Sequence, residues 1–305
     1  MLDRSNPYFR QVELIVRVMP LVAREPGFAL KGGTAINLFV RDLPRLSVDI
    51  DLAYLILDSR DDAFAAIEDG LRRLADDIRR VIREATVNAA PGEGGRVQRL
   101  QVSAGGIGIK IEVSPVLRGS VTPATEMTVS DCVAYQFGYA EARVLAPDEL
   151  YAGKLVAALD RQHPRDLFDV MLLLADEGIS KALMDCFVIY LVSSNRPIAE
   201  LLCPNLLPLQ PVFDQQFQGM SLLAVTVDEL DQARARMIQE IRRQLTEKQM
   251  AFLLSFKSGE PDWSLLKHTV ASNMPAVQWK LRNIRKMNPA RRSQALKKLE
   301  RALSL

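Results

Sequence analysis

The spacing of apolar residues predicts alternating helices and strands over the first 175 residues or so. Apolar positions three or four apart predict helices over residues 8–24, 34–41 and 60–84. Period-two alternation predicts a strand over residues 47–56 and a hairpin whose strands, VQRLQVSA and IGIKIEVSP, flank Gly105-Gly106. A further helical region begins at Pro147 and runs, with a break at Pro164, to about residue 175.

From residue 180 onwards the pattern is helical, apart from a proline-rich interruption between residues 204 and 211. Residues 228–256 predict one or two long amphipathic helices. We therefore expect an α+β fold, with a small mixed sheet flanked by helices over residues 1–180 and a mostly α-helical domain over residues 181–305.

The composition excludes several classes of protein without selecting one. The 305 residues carry a formal charge of +2, so a polyanionic partner would have to be bound by local clusters of cations. Two histidines and three cysteines without CxxC spacing argue against a zinc site and favour a reducing compartment. The N-terminus does not resemble a signal peptide, and no apolar run reaches the roughly eighteen residues of a membrane span. We expect a cytoplasmic protein with no membrane partner.

Two carboxylates occupy the predicted strand over residues 47–56. Asp49 and Asp51 are two positions apart, so on a strand both project from one face while Ile50 and Leu52 face the core. Carboxylates held this close repel each other unless a cation lies between them. Mg²⁺ is favoured because carboxylate and phosphate oxygens are its usual ligands. The pair therefore predicts a Mg²⁺ site.

Glu112 is the candidate for a third metal ligand. It shares a face of the second hairpin strand with Lys110 and Ser114, and we expect that strand to lie antiparallel beside the strand of the two aspartates. Two-metal phosphoryl transfer needs such a set of bridging and flanking oxygens. The alternative is an exposed glutamate that pairs across the hairpin.

Gly32, Gly33 and Thr34 precede the short predicted helix over residues 34–41. Backbone N–H groups at a helix start, together with a hydroxyl, can bind a triphosphate. The segment lacks the lysine of a Walker A motif, and a simple turn would also explain a lone glycine pair. Only the aspartates that follow favour nucleotide binding.

A second polar cluster lies in the segment YAGKLVAALDRQHPRDLFDVMLLL, residues 151–174. Helical spacing groups its charged residues on the two predicted helices around Pro164: Lys154, Asp160, Arg161, Arg165, Asp166 and Asp169. One interpretation is an arginine–aspartate network that braces the two helices. The other makes Lys154 a phosphate ligand and the arginines a clamp on nucleotide charge. The sequence leaves both open.

The motifs GGTxxN…RxSxDIDL and KLxAALDRxxPRDLFD together resemble the AbiEii/AbiGii family of nucleotidyltransferase toxins, in the DNA polymerase β-like superfamily. The resemblance covers residues 30–175, and WKLRNI, residues 279–284, is similar to the family's C-terminal signature. It implies a polymerase β-like N-terminal domain and the reaction NTP + acceptor → nucleotidyl-acceptor + diphosphate. It also implies a toxin of a toxin–antitoxin, abortive-infection or phage-defence system, with a cognate antitoxin protein and the tRNA 3′ end as the favoured acceptor.

The resemblance carries functional roles onto particular positions. The family's motif residues correspond to Gly33, Thr34, Asp49, Asp51, Lys154, Asp166 and Asp169. Asp49, Asp51 and Glu112 would bind Mg²⁺, and Glu112 could help to deprotonate the attacking hydroxyl. Ser47 matches a serine that is a target of inhibitory phosphorylation in some relatives. The expected nucleotide-binding residues are Gly32, Gly33, Thr34, Arg45, Ser47, Lys154, Arg161 and Arg165.

The C-terminal thirty or so residues are rich in cations, with nine lysines and arginines between Lys280 and Arg301. Such a segment can bind several phosphates of a nucleic acid, although a solvated helical surface with an apolar stripe is an equal explanation. Two further functions stay open: transfer to a protein or small-molecule acceptor, and a non-catalytic partner that holds nucleotide without turning it over.

Overall fold

The computed structural model describes residues 6–304, which form two compact units. The first unit contains the described residues up to Leu150 together with Gln218–Ala224, and the second contains Tyr151–Phe217 and Val225 onwards. The helices on both sides of residue 180 lie within the second unit, because the chain divides by packing between Leu150 and Tyr151. The functional domain boundary expected near residue 180 stays a prediction. Over residues 6–304, no helix is long and apolar enough to span a bilayer.

The first unit combines one mixed sheet with a few helices. Its described strands are β1 (Phe28–Lys31), β2 (Asp49–Tyr54), β3 (Thr86–Pro91), β4 (Val97–Ala104), β5 (Ile107–Arg118), β6 (Thr125–Thr128) and β7 (Glu141–Val144). Its helices are α1 (Pro7–Val22), α2 (Gly32–Ala35), α3 (Arg60–Val81) and α4 (Asp131–Phe137). The predicted helix behind the glycines is α2, continued by a π-helical segment at Ile36–Val40, and a 3₁₀ turn spans Glu93–Gly95. The predicted hairpin is confirmed as β4 and β5.

The described strands lie in the order β3-β4-β5-β2-β1-β7-β6. The β2–β5 and β1–β7 pairs are parallel, and the other neighbouring strands are antiparallel. The expectation that the Glu112 strand would run antiparallel to the aspartate strand is therefore wrong. The 22-residue helix α3 returns the chain to the same end of the sheet, as a parallel connection requires, and the β3–β4–β5 meander then brings β5 beside β2 in parallel.

One face of the central strands is apolar and buried. Ile50 and Leu52 of β2 have no exposed surface, and Ile111 of β5 is equally buried. Helices α1 and α3 pack against this sheet and against each other. Each begins at a polar cap: the Asn6 side chain accepts a hydrogen bond from the Tyr8 amide, and that of Ser59 accepts one from Asp62. Burial on this face leaves the opposite one for polar side chains.

The second unit is helical in its described part. Its helices are α5 (Pro147–Arg161, which begins in the first unit), α6 (Pro164–Asp176), α7 (Lys181–Ser193), α8 (Ile198–Leu202), α9 (Gln210–Gln216), α10 (Val227–Gln244), α11 (Glu247–Ser258), α12 (Pro275–Arg285) and α13 (Pro289–Leu303). Short 3₁₀ turns span Trp263–Leu265 and Thr269–Asn273. The amphipathic stretch predicted over residues 228–256 is two helices, because capping boxes at Thr226 and Thr246 start each one separately. The expected α+β fold is confirmed.

Candidate active site

The two aspartates project from the polar face of β2, as predicted. Asp49 and Asp51 are partly exposed, while the intervening Ile50 and the following Leu52 are fully buried. The alternation follows from strand geometry, since successive side chains point to opposite faces. Two carboxylates thus share an accessible surface of the sheet.

Cross-strand register surrounds this acid pair with further charges. Asp51 lies opposite Glu112 on β5 and opposite Lys31 on β1, so one row across the sheet combines two acids with a base. Asp49 lies opposite Lys110. Directly paired residues share a face, so these side chains occupy the same polar surface. The predicted association of Glu112 with the aspartates on one face is confirmed.

Glu112 is held by two cations. Its Oε2 lies 2.9 Å from Lys110 Nζ and its Oε1 lies 3.1 Å from Arg99 Nη2. Partial burial alone would raise the pKa of this carboxyl, but hydrogen bonds from Lys110 and Arg99 outweigh it and lower the pKa. A carboxylate with a lowered pKa is a weak general base, so the geometry gives no support to Glu112 as the group that deprotonates the acceptor.

Lys110 is one of the residues of this surface, with Lys31 and Arg99, that sequence reasoning did not include in the site. Burial would lower its pKa, but the neighbouring Glu112, Asp49 and Asp51 outweigh that effect and raise it. The period-two pattern placed Lys110 and Glu112 on one face, which is the only signal the sequence carries. The register that sets Lys110 opposite Asp49 depends on a parallel pairing between strands more than fifty residues apart, which the pattern does not specify.

Gly32 lies directly against Asp51, and Gly33 lies against Arg45 and Ser47. Gly32 has a φ of +75°, and a Cβ added there would come within 2.8 Å of Asp51 Oδ2. A Cβ on Gly33 would come within 2.5 Å of the Arg45 guanidinium and 3.1 Å of Ser47 Oγ. Position 32 therefore needs glycine for its left-handed backbone, and both positions need it for close approach.

The structure brings three of the predicted nucleotide-binding residues together beneath this turn. Thr34, Arg45 and Ser47 are buried, with exposures of 1%, 2% and 7%. The Thr34 hydroxyl donates to the carbonyl oxygen of Asp49 and lies 3.0 Å from Ser47 Oγ. These hydroxyls connect the start of α2 to the start of β2, so their observed contacts are internal, and direct binding of nucleotide by them stays a prediction.

The second predicted cluster is a buried ion-pair network within the helical unit. Lys154 Nζ lies 3.0 Å from Asp166 Oδ1 and 2.9 Å from Asp169 Oδ2, and the three side chains are at most 6% exposed. Arg161 also binds Asp166, through Nε and through Nη2 at 2.9 Å. These contacts join α5 to α6, which matches the bracing interpretation. A phosphate-binding role for Lys154 requires it to exchange one of these partners and stays a prediction.

Two effects on the pKa of Asp166 oppose each other in this network. Burial would raise the pKa of Asp166, but the Lys154 and Arg161 charges outweigh it and hold the pKa far below its usual range. Arg161 is the exposed member, with 58% of its side chain accessible, while Arg165 is partly exposed at the start of α6. Of the predicted clamp residues in this unit, these two arginines are the ones that solvent reaches.

The C-terminal cations divide into anchors and exposed groups. Lys280 donates to the carbonyl oxygens of Ser194 and Arg196, and its burial together with the nearby Lys257 charge lowers its pKa to about 8. Arg285 donates to the Gly259 carbonyl at 2.9 Å. The cations that lie largely exposed on α12 and α13 or just beyond α12 are Arg282, Arg285, Lys286, Arg291, Lys297, Lys298 and Arg301, so Arg285 belongs to both groups.

The donor set at the acid pair fits a magnesium ion that shares its ligands with a substrate. Between residues 6 and 304, no three His, Cys, Asp or Glu side chains converge as a protein-only cage. Asp49 and Asp51 provide hard oxygen donors, and Mg²⁺ commonly takes one or two carboxylates with phosphate oxygens and water. Glu112, bound to Lys110 and Arg99, is not placed as a third ligand in this structure, and that role stays a prediction.

Comparison with solved structures supports the fold class. The nucleotidyltransferase toxin MenT4 of Mycobacterium tuberculosis H37Rv is similar with a TM-score of 0.62 at 13% sequence identity, over 92% of this chain and 95% of that one. A terminal uridylyl transferase 4 of Trypanosoma brucei with bound dUTP also matches, at 14% identity over 97% and 93% of the two chains, with a TM-score of only 0.31. A search of curated protein sequences returned no match.

The fold is thus that of a nucleotidyltransferase, with paired carboxylates on a sheet face beside a glycine turn. A profile of the AbiEii family, described as the nucleotidyl transferase AbiEii toxin of a type IV toxin–antitoxin system, matches residues 13–283. The chain belongs to this family. It is therefore a nucleotidyltransferase toxin, and the family implies an NTP substrate and an antitoxin partner.

Proposed function

We propose that the protein is a cytoplasmic enzyme that uses Mg²⁺ to transfer a nucleotidyl group from an NTP to the 3′ end of tRNA. The observation that carries this proposal is the partly exposed pair Asp49 and Asp51, held on one strand face against the left-handed turn at Gly32. Repulsion between such carboxylates favours a cation between them. Substrate phosphates then supply further ligands to that cation.

Asp49 and Asp51 would hold the magnesium ion, which when bound supplies positive charge beside the triphosphate. The buried hydroxyl contacts of Thr34 and Ser47 fix the start of β2, so the two carboxylates are presented in one orientation. Gly32 leaves space beside Asp51 that any side chain would fill. These groups therefore pre-organise the acid pair before substrate binds.

The reaction follows from the chemistry of the substrates. The 3′-hydroxyl oxygen of the acceptor forms a bond to the α-phosphorus, and the bond from that phosphorus to the α,β-bridging oxygen breaks. The bonding electron pair leaves with diphosphate. The hydroxyl proton passes to a water molecule of the solvent, since Glu112 is engaged by Lys110 and Arg99 and the acid pair would hold the metal ion.

Lys154, Asp166 and Asp169 contribute to activity in this proposal by fixing α5 to α6. Their mutual ion pairs are buried, and a broken buried pair costs about 3–5 kcal/mol. Solvent reaches Arg161 and Arg165, and contact of these two side chains with nucleotide phosphates stays a prediction. The network is thus a scaffold whose exposed arginines can bind charge.

The exposed cations of α12 and α13 support a nucleic-acid acceptor. Several phosphates can be bound by side chains such as Arg291, Lys297 and Lys298, which are exposed. Transfer to a protein or a small molecule would not require such a surface. A non-catalytic role is disfavoured by membership of an enzyme family.

The acceptor is tested by incubating the purified protein with Mg²⁺, each α-labelled NTP in turn, and total tRNA. We expect label on tRNA with a preferred NTP, lost on addition of a chelator and lost in Asp49→Asn. Label on the toxin itself or on a small acceptor added to the same mixture would show the alternative transfer. Transfer that persists in Asp49→Asn would remove the acid pair from the mechanism.

A further inference from the structure

We propose that Lys110 is an internal counter-cation of the Asp49–Asp51 pair, and that its ammonium moves to the triphosphate when a metal–nucleotide complex binds. This inference rests on the proposed function, because it concerns metal and nucleotide binding at the same acid pair. It makes Lys110 a positioning residue that sets when the site accepts a metal ion.

The register places Lys110 among three carboxylates. It lies opposite Asp49 in the β2–β5 pair, and the next residues on that face, Asp51 and Glu112, are opposite each other. Its Nζ is 2.9 Å from Glu112 Oε2. One ammonium thus offsets part of the repulsion that would otherwise exist in a metal-free acid cluster.

In this arrangement a free metal ion must compete with the Lys110 ammonium for the acid pair. A divalent cation at Asp49 and Asp51 would lie close to the Lys110 charge, and like charges at such separations disfavour each other. A triphosphate reverses the balance, since its several negative charges attract both the metal ion and the ammonium. Lys110 therefore favours the metal–nucleotide complex over the metal ion alone.

Lys110 is able to change partners without leaving a carboxylate unpaired. Its side chain is 34% exposed, and the opposite residue on β4 is the uncharged Gln101. When the ammonium leaves, Glu112 keeps Arg99, whose Nη2 lies 3.1 Å from the other carboxylate oxygen. The cost of the movement is therefore small, as it is for exposed ion pairs generally.

Metal affinity without nucleotide is the first test. Mn²⁺ binding, followed by electron paramagnetic resonance, should be about tenfold tighter in Lys110→Met than in the native protein, because one nearby positive charge is gone. Arg99→Met is the matched control. It also removes one positive charge that pairs with Glu112, but Arg99 lies one strand further from the aspartates. We expect its Mn²⁺ affinity to stay within about twofold of native.

Nucleotide affinity is the second test and should move the other way. With Mg²⁺ and the four α,β-methylene nucleoside triphosphates as non-transferable probes, calorimetry should show about tenfold weaker binding of the preferred one in Lys110→Met. Lys110→Arg should keep both affinities near native, since the charge remains. A lysine that only stabilised the fold would weaken both kinds of binding, so opposite signs identify the proposed role.

The outcomes separate this inference from the proposed function. Unchanged or weaker Mn²⁺ binding in Lys110→Met, alongside native binding that Asp49→Asn abolishes, would overturn the counter-cation role and leave the metal site intact. Unchanged binding of the methylene nucleotides would overturn the transfer of the ammonium. An absence of Mn²⁺ binding in both native protein and Lys110→Met would overturn the counter-cation role, whereas an absence of Mg²⁺-dependent binding of every methylene nucleotide to the native protein would overturn the proposed function. Circular dichroism monitors folding, and Lys110→Gln gives the same readouts if the methionine variant is unfolded.

Discussion

Two lysine–carboxylate clusters in this molecule use the same residue types in opposite environments. In the first unit, Lys110 and Glu112 are each 34% exposed and share a sheet face with Asp49 and Asp51. In the second unit, Lys154 is 6% exposed, and the side chains of Asp166 and Asp169 have no accessible surface. Solvent weakens the first set of interactions and allows exchange of partners, whereas burial makes the second expensive to break. Burial, rather than residue type, separates a site that can bind from a scaffold.

Removal of the lysine from each cluster gives the largest expected difference. Lys154→Met should lower the free energy of unfolding by about 3–5 kcal/mol, because two carboxylates lose a buried partner. Lys110→Met, the matched change on the sheet, should lower it by less than about 1 kcal/mol. Urea unfolding at pH 7, followed by circular dichroism, measures both. Equal losses in the two variants would remove the distinction between the clusters.

Acid should separate the clusters in a second way. The folded pKa of Asp166 is lowered, so its contribution to stability is fully present above the unfolded pKa, about 3.9, and is lost as pH falls towards the folded value. In Lys154→Met one of the cations that lowers this pKa is absent, so the folded pKa lies closer to the unfolded one and less stability should be lost on acidification than in the native protein. Unfolding midpoints measured between pH 7 and pH 3 check this. A native profile and a variant profile of the same shape would contradict it.

A substitution in the glycine turn is expected to have an effect of intermediate size, and it should act on the first cluster alone. Gly32→Ala places a Cβ 2.8 Å from Asp51 Oδ2 in a left-handed backbone, which costs roughly 1–3 kcal/mol of strain. Transfer activity should fall by at least about tenfold, because displacement of Asp51 disturbs the acid pair. Gly178→Ala is a control for backbone strain, since its φ is +72° and a Cβ there meets no atom within 4 Å. Full activity in Gly32→Ala would show that this turn does not position the acid pair.

The smallest expected effect concerns the C-terminal helices. Replacing the exposed Lys297 and Lys298 together by glutamine should reduce the slope of log affinity for tRNA against log salt concentration by about two, because two phosphate contacts are lost. The stability of the protein should not change. Deletion of residues 280–305 is a poorer test, because Leu281, Ile284 and Leu299 are buried. A filter-binding series across salt concentrations measures the slope. An unchanged slope would exclude these lysines from the acceptor surface.

Much of the first unit could be predicted from local pattern. Alternation in β2, β4 and β5 gives both the strands and the face of Asp49, Asp51 and Glu112, because side-chain direction on a strand has a fixed period. Helix α3 and the long amphipathic stretch of α10 and α11 follow from helical spacing in the same way.

What sequence could not supply is long-range register and burial. The parallel pairing of β2 with β5, and with it the position of Lys110 opposite Asp49, depends on a crossover through α3 that alternation alone does not determine. Lys154 is buried and Lys110 is partly exposed, yet the sequence around each follows an ordinary amphipathic pattern. The resemblance identified motif residues, but it did not distinguish contact with substrate from support of the fold.

The most direct test of this account compares Asp51→Asn with Asp166→Asn by two readouts, nucleotidyl transfer and urea unfolding. Asp51→Asn should lose at least about 100-fold in transfer rate while its unfolding free energy stays native or rises, because a repelling charge on the sheet is removed. Asp166→Asn should lose several kcal/mol of stability, about 3–5, because Lys154 keeps only one buried carboxylate. Transfer by Asp51→Asn within a few-fold of the native rate would contradict the assignment of the acid pair as the catalytic centre.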